Sequence, residues 1–318
     1  MSLSWGFLST ARINRLVLEG AGESDGADVI AVASRDADRA EAYAREHGIE
    51  RAHGSYEALL EDPDVEAVYI PLPNSMHVEW TLRALEAGKH VLCEKPFSRR
   101  PEEVERAFDL AESAGLVLSE GFMWRHHPQT AKVAQLVGDG AIGRLRLVRV
   151  AFSFPLAAVH GADDARFDPA LDGGALMDVG CYCVNAIRLL AGEPERVSAE
   201  QFVGPSGVDV VFAAALSCPD DVVGHFDCGF ILPRRGELEI VGEDATLAVG
   251  DPVHIHEPGI ELRRADGIEH IAVERANSYR LELENFAGAV RGEATLLLGR
   301  DDALGQARTI EALYQAAA

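Results

Sequence analysis

The sequence predicts an α/β protein in which an N-terminal doubly wound parallel sheet precedes an α+β domain with a large, mostly antiparallel open sheet. As far as residue 122, short apolar runs typical of strands alternate with helix-like patterns of about ten to fifteen residues. From residue 144 the pattern changes to alternating strands joined by turns rich in Gly, Pro and Asp. A chain of 318 residues is long enough for two domains, which we expect at 1–122 and 123–318.

Charge and cysteine content exclude several classes of protein. The formal net charge of −23 disfavours nucleic acid and anionic membranes as partners, because both require a basic surface. The first residues carry neither a basic nor a long apolar segment, and no apolar run reaches ~18 residues, so we expect a cytoplasmic protein without a membrane partner. The five cysteines are odd in number and scattered, which predicts reduced, buried thiols and no metal centre.

The first strand pattern, residues 3–8, is followed by a tight turn and then by a helix pattern. This order is the setting of a dinucleotide-binding fingerprint, but Ser9, Ala11 and Asn14 stand where the three glycines are expected. Small residues still let a pyrophosphate approach the helix N-terminus, although an ordinary strand–helix turn would look similar. On the first interpretation, the cofactor contacts of this turn are Ser9, Thr10, Ala11, Arg12 and Ile13.

The end of the second strand, residues 28–33, favours NADP(H) over NAD(H). A free ribose 2′-hydroxyl is normally bound by Asp or Glu at this position, whereas this chain has Ser34 and Arg35. A hydroxyl and a guanidinium suit a 2′-phosphate through charge-assisted hydrogen bonds. The alternative is that Arg35 is a solvated residue at the start of the next helix.

Capping and stop signals divide the rest of the first domain into elements. We predict a helix over 37–47, a short helix from Ser55 to about Glu61, a strand over 64–70, a helix after Asn74 or Ser75 that ends at Gly88, a helix from Pro101 to Gly115 and a strand over 116–118. Between the last two helices lies the most informative stretch of this domain.

That stretch is Lys89–Phe97, in which a short apolar strand, 90–93, ends in Glu94-Lys95-Pro96. Proline ends the strand and restricts the backbone, so Lys95 is held at the carboxyl end of a strand. Ligands bind at this edge of open α/β sheets. The chain has three lysines in all, and we predict that Lys95 is catalytic.

The second domain is predicted to be mainly strands. We expect them at 144–154, 196–203, 208–217, 222–231, 237–241 and 246–249, with further pieces up to 273 and two helices at 279–291 and 301–316. If helices cover one face of this sheet, the other face needs solvent or a partner. Apolar residues on both faces of 222–231 favour a partner, so we expect a homodimer or a dimer of dimers through the open sheet.

Residues 173–190 read as a helix with two faces. Leu176, Val179, Cys183, Ile187 and Leu190 are spaced to face a core. Asp178, Tyr182 and Asn185 follow at spacings of four and three, which places them on a common face that can bind a polyhydroxylated substrate. The alternative is a solvent-facing polar stripe, or a packed tyrosine with a satisfied hydroxyl.

Together these motifs resemble the glucose–fructose oxidoreductase, inositol dehydrogenase and MocA family of NAD(P)-dependent oxidoreductases, over essentially the whole chain. The resemblance rests on Glu94-Lys95-Pro96, on the segment 71–77, and on Gly173-Gly174 leading to Asp178 and Tyr182. Residues 122–125, Arg166-Phe167 and a tyrosine rather than a histidine at 182 resemble its xylose and dihydrodiol dehydrogenase branch. The resemblance implies a Rossmann domain followed by an α/β domain whose large sheet mediates dimerisation.

The resemblance also implies roles for individual residues. Tyr182 exchanges a proton with the substrate oxygen while hydride moves to or from nicotinamide, and Asp178 holds a sugar hydroxyl or Lys95. A free tyrosine has a pKa near ~10, too high for base work at neutral pH, and the Lys95 cation favours tyrosinate. The cofactor side is implied to include Leu72, Pro73, Asn74, His77, Glu94, Lys95 and Arg166. His77 can alternatively be a helix-start residue, Arg166 a loop ion-pair partner, and Trp124 and Phe152 either walls of the sugar site or core residues.

We therefore expect an NADP(H)-dependent dehydrogenase or reductase that acts on a CH–OH group of a sugar or cyclic polyol. The favoured substrate is an aldose such as xylose or glucose. The alternatives are a trans-dihydrodiol dehydrogenase, a glycosidase that uses NAD transiently, and a non-catalytic NADP-sensing regulator. A regulator need not keep Lys95, Asp178 and Tyr182, all of which are present.

Overall fold

The computed structural model describes residues 2–318, and its first half alternates strands and helices as predicted. The elements are β1 (Leu3–Phe7), α1 (Asn14–Gly22), β2 (Ala27–Ala33), α2 (Ala37–His47), β3 (Arg51–His53), α3 (Tyr56–Leu60), β4 (Ala67–Ile70), α4 (His77–Glu86), β5 (His90–Glu94), α5 (Pro101–Ala114) and β6 (Leu118–Gly121). Strand β3 was not predicted, because three residues are too few to show a period. The last strand begins two residues later than expected.

These six strands form one parallel sheet in the order β3-β2-β1-β4-β5-β6. The order reverses between β1 and β4, and such a switch point is where doubly wound sheets bind ligands. Local signals set the helix ends as expected: the Ser55 hydroxyl accepts the Ala58 N–H at 3.1 Å, and Gly115 ends α5 at a φ of +67°. The predicted parallel sheet is confirmed.

The second half carries the larger sheet. Its elements are α6 (Pro128–Gly138), β7 (Leu145–Ser153), α7 (Leu156–His160), α8 (Cys181–Ala191), β8 (Arg196–Val203), β9 (Asp209–Cys218), β10 (Val222–Gly229), β11 (Arg235–Gly242), β12 (Thr246–Gly250), β13 (Gly259–Arg264), β14 (Gly267–Ala272), α9 (Ser278–Val290) and α10 (Arg300–Ala316). The eight strands are ordered β14-β13-β12-β11-β7-β10-β9-β8. All neighbours pair antiparallel except β10 and β7, which confirms a mostly antiparallel sheet.

This sheet has one covered and one open face. Helix α8 packs against β7 and β10, and the residues of these strands that point toward it, such as Val148 and Phe226, are buried. The alternate residues point the other way. Among them Val223 is 45 % exposed, and Phe202 on β8 is 60 % exposed. Period-two alternation therefore buries one side and leaves on the other a mixture of apolar side chains and charged ones, such as the Arg149–Glu239 pair.

The chain forms two compact units whose bounds differ from the predicted ones. The first comprises residues up to His126 together with Asn277–Leu304, and the second comprises His127–Ala276 and Gly305–Ala318. The first unit extends beyond residue 122 because the 3₁₀ turn Met123–His126 packs on α9. Helix α9 belongs to the same unit because it packs on α1 and beneath β1, where the Trp5 and Phe286 rings lie 5.0 Å apart.

Within residues 2–318, all five cysteines are free and buried, as expected. Contrary to expectation, one segment of the described chain, Pro169–Ala191, has the length and hydropathy of a membrane span. Most of it is buried inside the protein (83 % of the apolar window), which is also the pattern of a core helix.

Candidate active site

Lys95 follows directly after β5, at the edge where the parallel strands present their carboxyl ends. Its backbone is held on both sides. The Lys95 N–H donates to Glu94 Oε2 at 3.2 Å, and the Phe97 N–H donates to Glu120 Oε1 at 2.8 Å. Glu120 is 2 % exposed, so its carboxyl serves as a buried acceptor for this segment. The predicted restriction of Lys95 by Pro96 is thus supplemented by two carboxyl groups.

His77 braces the same segment from the start of α4. Its ring is 1 % exposed, with Nδ1 at 2.9 Å from the Pro96 carbonyl oxygen and Nε2 at 2.8 Å from that of Leu72. Burial lowers the pKa of His77, and the two carbonyls oppose that effect. A neutral ring donates only one of these bonds, whereas an imidazolium donates both. Both ring nitrogens are engaged by the protein, and the prediction that His77 lies near the nicotinamide ribose stays a prediction.

Two buried side chains that can lose a proton, Tyr69 and Glu282, lie next to Glu94. The Tyr69 hydroxyl donates to Glu94 Oε1 at 2.6 Å, and burial, reinforced by Glu94, raises the pKa of Tyr69 well above its usual value. Burial and then Glu94 also raise the pKa of Glu282 on α9, which is 4 % exposed. Both shifts favour the protonated form. Tyr69 therefore remains a hydrogen-bond donor that fixes the Glu94 side chain beside Lys95.

The turn between β1 and α1 is held by side chains where glycines were expected. The Asn14 side-chain amide donates to the Ser9 carbonyl at 2.7 Å, and the Ser9 hydroxyl accepts the Ala11 N–H at 3.2 Å. Ser9 has a φ of 157°, close to the limit of the region that favours glycine. Thr10, Ala11 and Ile13 are half-buried and Arg12 is exposed. The turn keeps its shape through the Asn14 side chain, which is itself completely buried.

The expected phosphate-binding pair follows β2. Ser34 is buried, and its hydroxyl accepts the Asp36 N–H at 3.3 Å. Arg35 is exposed and lies beside the Tyr56 hydroxyl, whose pKa is raised by burial and lowered in part by this arginine. The loop after β4 ends at the same edge of the sheet, with Leu72 buried and Pro73 and Asn74 half-buried. The cofactor residues predicted in the first unit thus follow β1, β2, β4 and β5.

In the second unit, Asp178 and Arg166 form an ion pair. Arg166 Nε lies 3.6 Å from Asp178 Oδ2 and 3.7 Å from Asp164 Oδ1. The side chains of Arg166 and Asp178 are 36 % and 18 % exposed, so the pair is partly open to solvent. Arg166 is thus an ion-pair partner within its loop, and its predicted contact with the nicotinamide side of the cofactor stays a prediction. The ion pair with Arg166 also orients the Asp178 carboxylate.

Gly173 and Gly174 are required by close approaches. A Cβ on Gly173 would lie 2.4 Å from the Arg166 carbonyl oxygen, and one on Gly174 would lie 2.2 Å from Asp209 Oδ1. Gly174 also has a φ of +128°. Asp209, on β9, accepts the Leu176 N–H at 2.7 Å and the Tyr314 hydroxyl at 3.0 Å. A buried carboxylate thus caps the start of the helical segment that carries Asp178.

The helix over 173–190 is not uniform. Leu176–Gly180 is a π-helical turn, followed by α8. Tyr182 lies at the start of α8 with its ring edge-on to Phe152, 5.7 Å between centroids. Asn185, three residues further along α8, is completely buried, and its side-chain amide lies 3.5 Å from the Gln306 side chain. The π turn contains Asp178, so it changes the angular position of Asp178 relative to Tyr182 and Asn185, which both lie in α8.

Sequence reasoning missed several residues that hold these side chains. Tyr69 and Glu120 hold the Lys95 segment, while Asp209 and Gln306 hold the segment of Asp178 and Tyr182. All four are buried polar residues distant in sequence from the motifs they support. Their only sequence-level signal is a polar residue within an otherwise apolar strand or helix pattern.

Comparison with known proteins identifies the family. Residues 5–122 match the oxidoreductase family with an NAD-binding Rossmann fold, and residues 130–248 match the GFO/IDH/MocA C-terminal domain. The chain belongs to the GFO/IDH/MocA family. The resemblance that the Lys95, Asp178 and Tyr182 motifs predicted is confirmed, and the protein is an oxidoreductase of that family.

Three relatives illustrate the range of the family near this chain. D-xylose 1-dehydrogenase (NADP(+)) 2 of Haloferax volcanii is 39 % identical, over 99 % of this chain and 97 % of its own. Trans-1,2-dihydrobenzene-1,2-diol dehydrogenase of Bos taurus is 35 % identical, over 79 % and 75 %. KijD10, a 3-ketoreductase from Actinomadura kijaniata solved with NADP and TDP-benzene, superposes with a TM-score of 0.93 at 32 % identity, over 100 % and 98 %. These family members are thus a dehydrogenase of D-xylose, a dehydrogenase of a cyclic diol and a 3-ketoreductase.

Proposed function

We propose that this oxidoreductase uses NADP(H) to interconvert a carbinol and a carbonyl of a sugar or cyclic polyol, with an aldose such as xylose or glucose as the first substrate to test. The observation that carries the proposal is the fixation of Lys95. Its neighbours in sequence are held by Glu120 and His77, and Glu94 is held by Tyr69. A lysine on a surface strand end needs no such support, whereas a catalytic cation must be placed accurately.

NADP(H) fits the residues of the first unit. The buried Asn14 side chain keeps the β1–α1 turn tight although Ser9 replaces glycine, so a diphosphate can approach the positive end of the α1 helix dipole. Ser34 and the exposed Arg35 supply a hydroxyl and a cation at the position that reads the ribose. We propose Ser9, Thr10, Ala11, Arg12 and Ile13 as diphosphate contacts. Leu72, Pro73, Asn74 and Glu94 are proposed for the nicotinamide side.

The proposed mechanism assigns the proton to Tyr182 and the orientation to charged groups. Bound nicotinamide supplies the hydride acceptor or donor. Tyr182 Oη takes the proton of the carbinol in oxidation and returns it in reduction, and the Lys95 ammonium stabilises the phenolate and holds the substrate oxygen. Asp178, oriented by Arg166 at 3.6 Å, accepts a hydrogen bond from a neighbouring substrate hydroxyl.

A substrate and cofactor panel tests the function. D-xylose, D-glucose and a trans-dihydrodiol are each offered with NADP and with NAD, and reduced nicotinamide is followed by absorbance. We expect turnover of at least one aldose with a preference for NADP. Turnover of the dihydrodiol alone would favour the second enzyme class, and glycoside cleavage without net reduction would favour a glycosidase. Undiminished turnover in Lys95→Ala or Tyr182→Phe would contradict the mechanism.

We further propose that the protein is a cytoplasmic homodimer, or a dimer of dimers, built through the open face of the larger sheet. Phe202 and Val223 are 60 % and 45 % exposed on that face, and on β9 Val211 lies opposite Phe202 while Ser217 lies opposite Val223. Large apolar side chains this exposed on a sheet face favour a partner that covers them, although the same face also carries ion pairs such as Arg149–Glu239. Light scattering is expected to give at least twice the chain mass, and Phe202→Glu is expected to shift it toward the monomer.

A further inference from the structure

A row of aromatic rings extends from Tyr182 within the second unit. The Phe152 ring lies edge-on to Tyr182 at 5.7 Å and edge-on to His254 at 5.7 Å. His254 in turn stacks on His256, with 5.8 Å between centroids and 7° between planes. The two histidines belong to the loop between β12 and β13. A loop outside the sequence motifs therefore lies two ring contacts from the proposed catalytic tyrosine.

The backbone of this loop is arranged to present the two histidines. Val253 and Ile255 are 6 % exposed, whereas His254 and His256 are exposed. Ile255, between them, has a φ of +51°, which is a genuine outlier for a β-branched residue. Such a conformation costs about 1–3 kcal/mol and persists where the surroundings impose it, often at ligand sites. The buried Ile255 side chain holds the strained turn and leaves both imidazoles at the surface.

Asp251 fixes the proton on His254. The carboxylate oxygen Oδ1 lies 3.3 Å from His254 Nδ1 and also accepts the His254 N–H at 3.1 Å. A carboxylate only accepts, so the proton of a neutral His254 ring resides on Nδ1 and Nε2 carries the lone pair. Nε2 of this exposed residue is therefore a hydrogen-bond acceptor. Hydroxyl groups are the donors that match it.

We propose that His254 and His256 form a hydroxyl-binding subsite for the part of the substrate remote from the carbon that exchanges hydride. The proposal rests on the proposed function, because a sugar or polyol held at Tyr182 is what brings further hydroxyls to this row. Phe152, 7 % exposed, supplies the shared apolar support, and Asp251 is the positioning residue. The ligand class is a polyhydroxylated ring or chain longer than the reacting carbinol alone.

Ring-preserving variants test the subsite. His254→Phe keeps an aromatic ring against Phe152 but removes the acceptor, and His256→Phe does the same for the second ring. The matched control is His47→Phe in the first unit, where the imidazole also packs on an aromatic ring, Tyr43, at 4.2 Å. Rates are measured with D-glucose and each of its monodeoxy derivatives, and NADP affinity is measured separately.

We expect His254→Phe to lower kcat/KM for glucose by roughly 3- to 10-fold, the range of one hydrogen bond. For one deoxy sugar the variant and the wild type should agree within about twofold, because the partner hydroxyl is already missing. NADP affinity and the His47→Phe enzyme should not change. An equal loss for every deoxy sugar, or no loss at all, overturns the proposal. A loss confined to sugar phosphates also overturns it, since the ligand would be an anion.

A binding measurement separates this inference from the proposed function. Side-chain ¹H–¹⁵N spectra of the histidines, recorded while D-xylose or myo-inositol is added, report on Nε2 without any turnover. We expect the His254 resonances to shift and those of His47 to stay fixed. If the substrate panel shows no turnover but His254 shifts, the proposed function fails and the subsite stands. If turnover occurs and no histidine resonance shifts, the subsite fails alone.

Discussion

Replacing Asp209 tests how the Asp178–Tyr182 segment is held. In Asp209→Ala, the Leu176 N–H and the Tyr314 hydroxyl both lose their acceptor, at 2.7 and 3.0 Å in the wild type. Hydrogen bonds to a charged group are worth about 1.5–3 kcal/mol each, and the Leu176 amide becomes a buried unsatisfied donor. The loss is partly offset, since the carboxylate is 3 % exposed and burial raises its pKa. We expect a net destabilisation of about 3–5 kcal/mol.

Asp209→Asn is the matched control. Its side-chain oxygen can accept the Leu176 N–H while its amide donates to the Tyr314 oxygen, so both contacts survive without the charge. We expect Asp209→Ala to lower the unfolding midpoint of the second unit by roughly 6–20 °C and Asp209→Asn by a few degrees at most. Thermal unfolding followed by circular dichroism measures both. An Asp209→Ala midpoint within 1–2 °C of the wild type would refute the reasoning.

The contribution of Asp209 to the free energy of unfolding changes with pH in a definite direction. Its folded pKa is raised above the ordinary value of 3.8, with burial as the largest cause, so the folded chain binds more protons than the unfolded chain between these two values. The contribution of Asp209 to stability therefore falls as the pH rises through that window. Asp209→Asn removes this pH-dependent contribution, because an amide does not titrate. The free energy of unfolding of Asp209→Asn should therefore rise relative to that of the wild type as the pH increases from about 3.8.

Three further predictions concern the first unit. Arg35→Ala should lower the preference for NADP over NAD by roughly 10-fold or more, because it removes a charge-assisted contact; unchanged KM values for both cofactors would contradict the assignment of Arg35. Glu282→Gln should stabilise the protein increasingly as the pH rises above 4.5, because burial raises the pKa of this acid. Equal unfolding midpoints of the wild type and the variant from pH 5 to 9 would show that burial does not penalise the charged form of Glu282. Asn14→Ala should weaken NADP binding in calorimetry, because the Ser9 carbonyl loses its 2.7 Å donor; unaltered affinity would mean that the turn holds its shape without the side chain.

Most of the framework was predictable from local sequence. Helix α2 matches the predicted 37–47, and strand β8 matches 196–203, because hydrophobic period and capping residues are local properties. The complete burial of Asn185 was not predictable, because its neighbour Gln306 lies 121 residues away in the sequence. The π turn before α8 likewise has no local signature, and it changes which residues share a face.

The candidate site was predictable to the same extent. The motifs identified Lys95, Asp178 and Tyr182 as chemical groups, but not the residues that hold them. Arg166 illustrates the limit: its position in the motif indicated a cofactor contact, but not its ion pairs with Asp164 and Asp178. Which of two charged neighbours an arginine contacts depends on loop geometry that no period encodes.

The supports of the two units follow one physical rule. Lys95-Pro96-Phe97 and the segment from Gly174 to Tyr182 have irregular backbones, whose N–H and C=O groups are not all paired by regular structure. Buried side chains supply the missing partners: His77 and Glu120 in the first case, Asp209 and Gln306 in the second. Irregular backbone is what aims a side chain away from the direction of its strand or helix. Substituting one of these supports should therefore lower kcat more than it weakens NADP binding, since it displaces a reacting group and leaves the β1–α1 turn intact.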